Sequence, residues 1–197
     1  MTTSTRLPRA ERRQAILRGA ARAFAERGYA GTSMEAIAEA AGITKLIVYR
    51  HFESKADLYR AVVTDVVESI AAADRAGLAS GAGPRSHALA LLQAAREDPD
   101  GFRLVFRHAV REPEFADLVD TTRRRGVEFV RGLLEPVLPD RRMLGWAAET
   151  ALSFSVQATL NWLDSGDADR DDEFVGLATA SLEALVRTWA VRDGEGA

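Results

Sequence analysis

Gly42 stands between two short stretches that each carry helical spacing, and this arrangement limits the fold more than any other feature of the chain. Before it, Met34, Ile37, Ala38 and Ala41 recur at steps of three and four residues, which places them on one face of a helix. Ser33 precedes that run, where its hydroxyl can satisfy orphan backbone donors, and Glu35 suits the positive end of the helix. A left-handed backbone at position 42 costs glycine little and costs any other residue more. Thr44 can then cap a second short helix that reaches Phe52, and a third, longer helix begins near Ser54. Short helix, glycine turn and second helix, in that order, form the pattern that lays a helix against a duplex.

The second helix has a readable phase. If Val48 and Phe52 face a core, Leu46 and Arg50 lie nearly opposite, because two residues turn a helix by about 200°. Lys45, Ile47 and Tyr49 flank that outward side. Such a mixture is odd for a solvated helix and fits one that reads a groove. Cations meet phosphate or guanine, aliphatic side chains meet thymine methyls, and a phenol meets a phosphate oxygen. The competing reading makes Leu46 and Ile47 core residues of a small helical domain.

The same stretch carries a wider resemblance. Ile16, Leu17, Ala20, Ala21 and Phe24 lie on a first helix, followed by Gly28-Tyr29, Thr32-Ser33 and Ile37-Ala38. Ala41-Gly42-Ile43, Tyr49, His51-Phe52 and Lys55 complete the set. Together, over residues 12–60, they resemble the DNA-binding domain of the tetracycline-repressor (TetR) family of bacterial transcription regulators. The resemblance implies Lys45, Leu46 and Tyr49 as groove contacts. It implies Thr32, Ser33, Thr44, Arg50, His51 and Lys55 as residues that hold or frame phosphates. Leu46 and Ile47 stand where many relatives carry small or polar residues, which leaves base preference open.

Charge supports this division of labour. The chain carries −3 overall, yet residues 1–60 hold eleven basic and six acidic side chains, a net of +5 that leaves −8 for the remainder. A basic end on an acidic body suggests a nucleic-acid-binding segment joined to a separate domain. The first eight residues read as a basic arm, interrupted by Pro8, that can reach a minor groove.

Beyond the motif the pattern is helical throughout, with no run at strand period, so the expected fold is all-α with about nine helices. Helices are expected near 9–28, 33–40, 44–51, 55–78, 84–97, 101–111, 114–137, 140–164 and 170–191. The domain boundaries are expected to follow: an arm over 1–8, the helix-turn-helix domain over 9–56, a helical bundle over 57–192 and a loose tail over 193–197. The fourth helix is expected to run from one domain into the other. The resemblance implies that the bundle binds a small-molecule effector and forms a homodimer through its last two helices. Gly145, Ala148, Ala151, Gly176, Ala180 and Ala184 in those helices are small enough for close approach. Phe102, Phe106, Phe129, Trp146, Phe154 and Trp162, with Gln157 and Asn161 as polar anchors, are the candidate effector contacts.

Several chemistries find no support. Cysteine is absent, so thiolate metal sites and thiol catalysis are excluded. A calcium loop counted from Asp167 puts Asp172 where glycine is needed and Ala178 where glutamate is needed. No phosphate-binding glycine loop or paired-histidine zinc motif occurs, and His51, His87 and His108 have no serine partner in a nucleophile sequence. No catalytic residue, metal or cofactor is expected. The expected function is a cytoplasmic, ligand-responsive regulator that binds operator DNA, most often as a repressor. The alternative is a helical small-molecule-binding or enzymatic protein whose N-terminal domain does not act on DNA.

Overall fold

The computed structural model describes residues 8–81, 83–138 and 140–191, and among these every regular element is helical. The arm expected over 1–8, apart from Pro8, and the tail expected over 193–197 lie outside the described residues. The elements are α1 (Arg9–Gly31), α2 (Met34–Ala40), α3 (Lys45–Tyr49), α4 (Lys55–Ala79), α5 (Gly83–Glu97), α6 (Pro99–Arg103), α7 (Ala116–Leu134), α8 (Arg141–Ser165) and α9 (Asp171–Val191). No helix among the described residues is long and apolar enough to cross a membrane.

The chain forms two compact units, one of Met1–Val66 with Asp100–Ala116, the other of Val67–Pro99 with Asp117–Ala197. Helix α4 contributes its first half to one unit and its second half to the other, with the division after Val66, and runs on from the first to the second as expected. Residues 100–116 fold with the N-terminal unit because Phe115 stacks on Tyr59 at 4.1 Å and meets Tyr29 edge-on at 4.8 Å. Phe24 and Tyr59 complete that aromatic group at 5.0 Å. Burial pushes the Tyr59 phenol well above its ordinary range, and its hydroxyl has no partner.

The single α-helix expected over 101–111 is instead α6, a π-helical turn over Leu104–His108 and a 3-10 turn over Ala109–Arg111.

In the first unit, α1 packs on α2 and α2 on α3. Gly19 makes the first contact possible: a Cβ there would lie 2.7 Å from the backbone nitrogen of Ala41. Gly42 makes the second possible, with φ of 66° and two bonds that close the end of α2. Its amide donates to the Glu39 carbonyl at 3.0 Å, and the Ile43 amide donates to the Ala38 carbonyl at 3.0 Å.

In the second unit α5, α8 and α9 pack on one another. Leu144, Ala147, Ala148 and Ala151 of α8 and Val130 and Leu134 of α7 form its main core cluster. Arg96 grips the Asp171 carboxylate through two hydrogen bonds of 2.9 and 2.7 Å, and the indole nitrogen of Trp162 donates to the same carboxylate at 2.7 Å. These donors hold the Asp171 carboxyl below its ordinary range, the Arg96 bond first.

Gly19→Ala should therefore destabilise the protein by about 1–3 kcal/mol through overpacking. Gly132→Ala, at an exposed helical site with nothing within 4 Å of the added carbon, should gain about 0.5–1 kcal/mol. Denaturant melts of both variants check this contrast; equal effects would contradict the close approach.

Candidate nucleic-acid interface

The phase of α3 is set by what it buries. Val48 is fully buried and Phe52 is 4% exposed, whereas Leu46 is 62% and Tyr49 46% exposed. Lys45 and Arg50 are also exposed, and Ile47 is half-buried at the edge. Thr44 is the residue before the helix, but its hydroxyl makes no cap bond; its carbonyl accepts from the amides of Ile47 and Val48 at 2.9 and 3.3 Å. Ser33 does cap α2, accepting from the Ala36 amide at 3.1 Å.

Lys45 is tethered. Its ammonium donates to the Glu35 carboxylate and lies 5.6 Å from the centre of the Tyr49 ring. The Glu35 hydrogen bond raises the Lys45 pKa, and the same contact lowers that of Glu35. Lys45 is thus held by a carboxylate from α2, ten residues earlier in the chain.

Two residues expected at phosphates are used inside the unit. Thr32 is 3% exposed, and its hydroxyl hydrogen is shared between the carbonyls of Gly28 at 2.7 Å and Ala23 at 3.0 Å. Lys55 donates to the Tyr29 carbonyl at 2.7 Å and the Thr32 carbonyl at 2.9 Å, with its ammonium 4.3 Å above the Tyr29 ring. A lysine at the start of α4 thus ties down the loop that leads into α2. Spacing in sequence could not show that, because the two carbonyls lie more than twenty residues away.

His51 is half-buried, and burial first, then the charges of Arg9, Arg12 and Arg13, hold its pKa below the ordinary value. The first turns of α1 therefore bring cations to the end of α3, which the charge count over 1–60 implied only in bulk. Arg13 also lies 5.5 Å from the Phe52 ring and 3.7 Å from Asp65.

The second unit holds a cavity of about 420 Å³ between α5, α7, α8 and α9, with Val130, Leu134, Phe174, Leu182 and Val186 among its walls. None of the eight side chains expected to contact an effector lines it. Phe102 and Phe106 pair at 4.7 Å within the first unit. Phe129 packs on the core cluster of α7 and α8, and Phe154 is half-buried on α8. Trp146 is half exposed and meets Trp189 edge-on at 5.0 Å. The Gln157 side chain donates to Asn161 at 2.8 Å on an exposed face. Trp162 stacks on Phe174 at 5.0 Å and so stands behind a residue of the wall. The cavity is lined mainly by aliphatic side chains, whereas the expected contacts are mostly aromatic.

Residues 16–62 match the family model described as "Bacterial regulatory proteins, tetR family". That match covers the helix-turn-helix segment, and over it the chain resembles the TetR family.

The HTH-type transcriptional activator FasR of Mycolicibacterium smegmatis is 37% identical over 116 residues, 56% of this chain and 53% of that protein. The chain thus spans about half the length of this curated relative. A TetR-like transcriptional regulator from Rhodococcus sp. RHA1 superposes with a TM-score of 0.74 at 25% identity, over 96% of this chain and 100% of that one. A TetR-family regulator from Streptomyces coelicolor superposes with a TM-score of 0.65 at 26% identity, over 95% and 87%.

Lys55→Met should lower stability by about 1–3 kcal/mol, since it removes a cation that satisfies two carbonyls, and the midpoint of thermal unfolding should fall by several degrees. Arg50→Met, on the exposed side, should leave the melt unchanged. A Lys55→Met protein that melts like the wild type but no longer binds a duplex would make Lys55 a phosphate ligand instead.

Proposed function

We propose that this protein is a homodimeric regulator that binds operator DNA through α3 and releases it when a small molecule fills the cavity of the second unit. The observation that carries the reading is the exposure of Leu46, Tyr49, Lys45 and Arg50 on a short helix whose opposite side is buried. Leu46 and Tyr49 meet base edges; Lys45 and Arg50, with the cations at the start of α1, meet phosphates. Ser33 and Thr44 lie on the flanks, and His51 joins the phosphate contacts as the neighbouring charges are screened by the duplex. A DNA target places the protein in the cytoplasm.

Dimerisation is supported by the outward side of the last two helices. Leu177 is 62%, Leu185 37%, Trp146 50% and Met143 38% exposed, and Ala180, Ser181 and Ala184 lie between the leucines on α9. A partner copy covers that strip, and two heads about 34–36 Å apart match two half-sites on one side of a duplex. Effector and operator then act through a single linkage: a ligand that binds better to the DNA-free form lowers operator affinity by its preference for that form. Repression follows where the operator overlaps the promoter. FasR is named an activator, so activation is the other outcome to be tested.

Fluorescence anisotropy with duplex from upstream of the protein's own gene tests the reading. Affinity should fall by about 10³-fold or more between 50 and 200 mM salt if six or more phosphates are neutralised. Leu46→Ala should keep non-specific binding while narrowing the preference for that duplex over a scrambled one by about tenfold. Affinity indifferent to salt would contradict the DNA-binding role, and an unchanged preference would remove Leu46 from base contact.

A further inference from the structure

One acidic side chain stands on the exposed side that α3 offers to a duplex, and neither the phosphate contacts nor the base contacts of α3 use it. Glu35 of α2 accepts a hydrogen bond from the ammonium of Lys45, the first residue of α3. The two side chains remain open to solvent, Glu35 by 60% and Lys45 by 49%. Lys45 in turn lies 5.6 Å from the centre of the Tyr49 ring, which is itself exposed. Carboxylate, ammonium and phenol are thus neighbours on one open surface. Between residues 33 and 52 the only other acid is Glu39.

A carboxylate in that position is unfavourable beside a duplex, which carries about one negative charge per 1.7 Å of helix axis. When a phosphate takes the Lys45 ammonium, Glu35 loses its partner and faces that field alone. An exposed carboxyl stays ionised at neutral pH, so it needs a new hydrogen-bond donor.

The major groove offers few such donors. Guanine shows two acceptors there, and thymine shows an acceptor and a methyl group; neither donates. Adenine shows an amino group beside the N7 acceptor, and cytosine shows an amino group with no acceptor on the same base. An ionised carboxylate has acceptors only, so N7 of adenine repels its second oxygen. Cytosine is the base that suits it.

We propose that Glu35 is a specificity-determining residue that reads cytosine: Lys45 passes to a phosphate, and the released carboxylate accepts from the N4 amino group of the base. This inference rests on the reading of α3 as the duplex-binding helix and adds a base reader from α2. The carboxylate lowers affinity for every duplex and lowers it least where a cytosine meets it. Its effect is selectivity rather than strength.

Selection of the full-length protein on randomised duplexes, followed by sequencing, tests this. The wild type should fix a cytosine at one position of each half-site. Replacing that C·G pair by T·A should weaken binding about tenfold in fluorescence anisotropy. Glu35→Ala should relax that position alone and bind scrambled duplex more tightly. Glu35→Gln should move the preference to adenine, whose N6 and N7 match the donor and acceptor of a carboxamide. A merely structural role for Glu35 would change neither base. Lys45→Met should keep the cytosine while the slope of log affinity against log salt falls by about one. Selected sequences unchanged in both Glu35 variants, or a cytosine lost with Lys45→Met, overturn the assignment while DNA binding stands. Wild-type binding that is indifferent to salt overturns the duplex-binding reading and this assignment with it.

Discussion

Burial of Val48 and Phe52 is the constraint on which the recognition surface depends. A helix as short as α3 has little stability of its own, so its orientation is set by the side chains it places in the core. With Val48 fully buried and Phe52 nearly so, rotation about the helix axis is fixed. Leu46, Tyr49 and Arg50 are then carried outward by geometry, whatever their own preferences. The position of the helix along the chain is fixed separately, by the left-handed Gly42 that ends α2 and by the close seat of Gly19 against Ala41. A helix of five residues thus inherits its placement from α1 and α2.

The polar groups around it fall into two kinds. Thr32 and Lys55 spend their hydrogens on main-chain carbonyls and hold the loop between α1 and α2. Lys45, Tyr49 and Arg50 stand on the open side, where exchange of a protein partner for a phosphate costs little, because exposed ion pairs are weak. The Glu35–Lys45 contact is of this kind, an exposed pair that a phosphate would replace on the proposed function.

Much of the fold was legible in the sequence because its punctuation is strong. Gly42, the run from Gly77 to Pro84, Pro99, Pro113, the stretch from Pro136 and the Ser165-to-Asp169 loop each fall at or near a helix end. The phase of α3 was legible too, since a four-residue step between two large apolar side chains admits one core-facing side. The stretch 104–111 was not: its spacing reads as one α-helix, whereas the chain makes a π-turn followed by a 3-10 turn there. Nor was the use of Lys55, whose carbonyl partners belong to another element. The cavity was the least legible feature, because its wall is mainly aliphatic and drawn from four helices far apart in sequence.

The central claim is that the exposed side of α3 is the surface that meets a duplex. Amide hydrogen exchange of the full-length protein, with and without duplex from upstream of its own gene, addresses it most directly. Backbone amides of a short exposed helix open readily, so added protection there is easily seen. Protection concentrated over residues 44–51 and the first turns of α1 is the expected result; a duplex that binds while leaving those amides unchanged would contradict it.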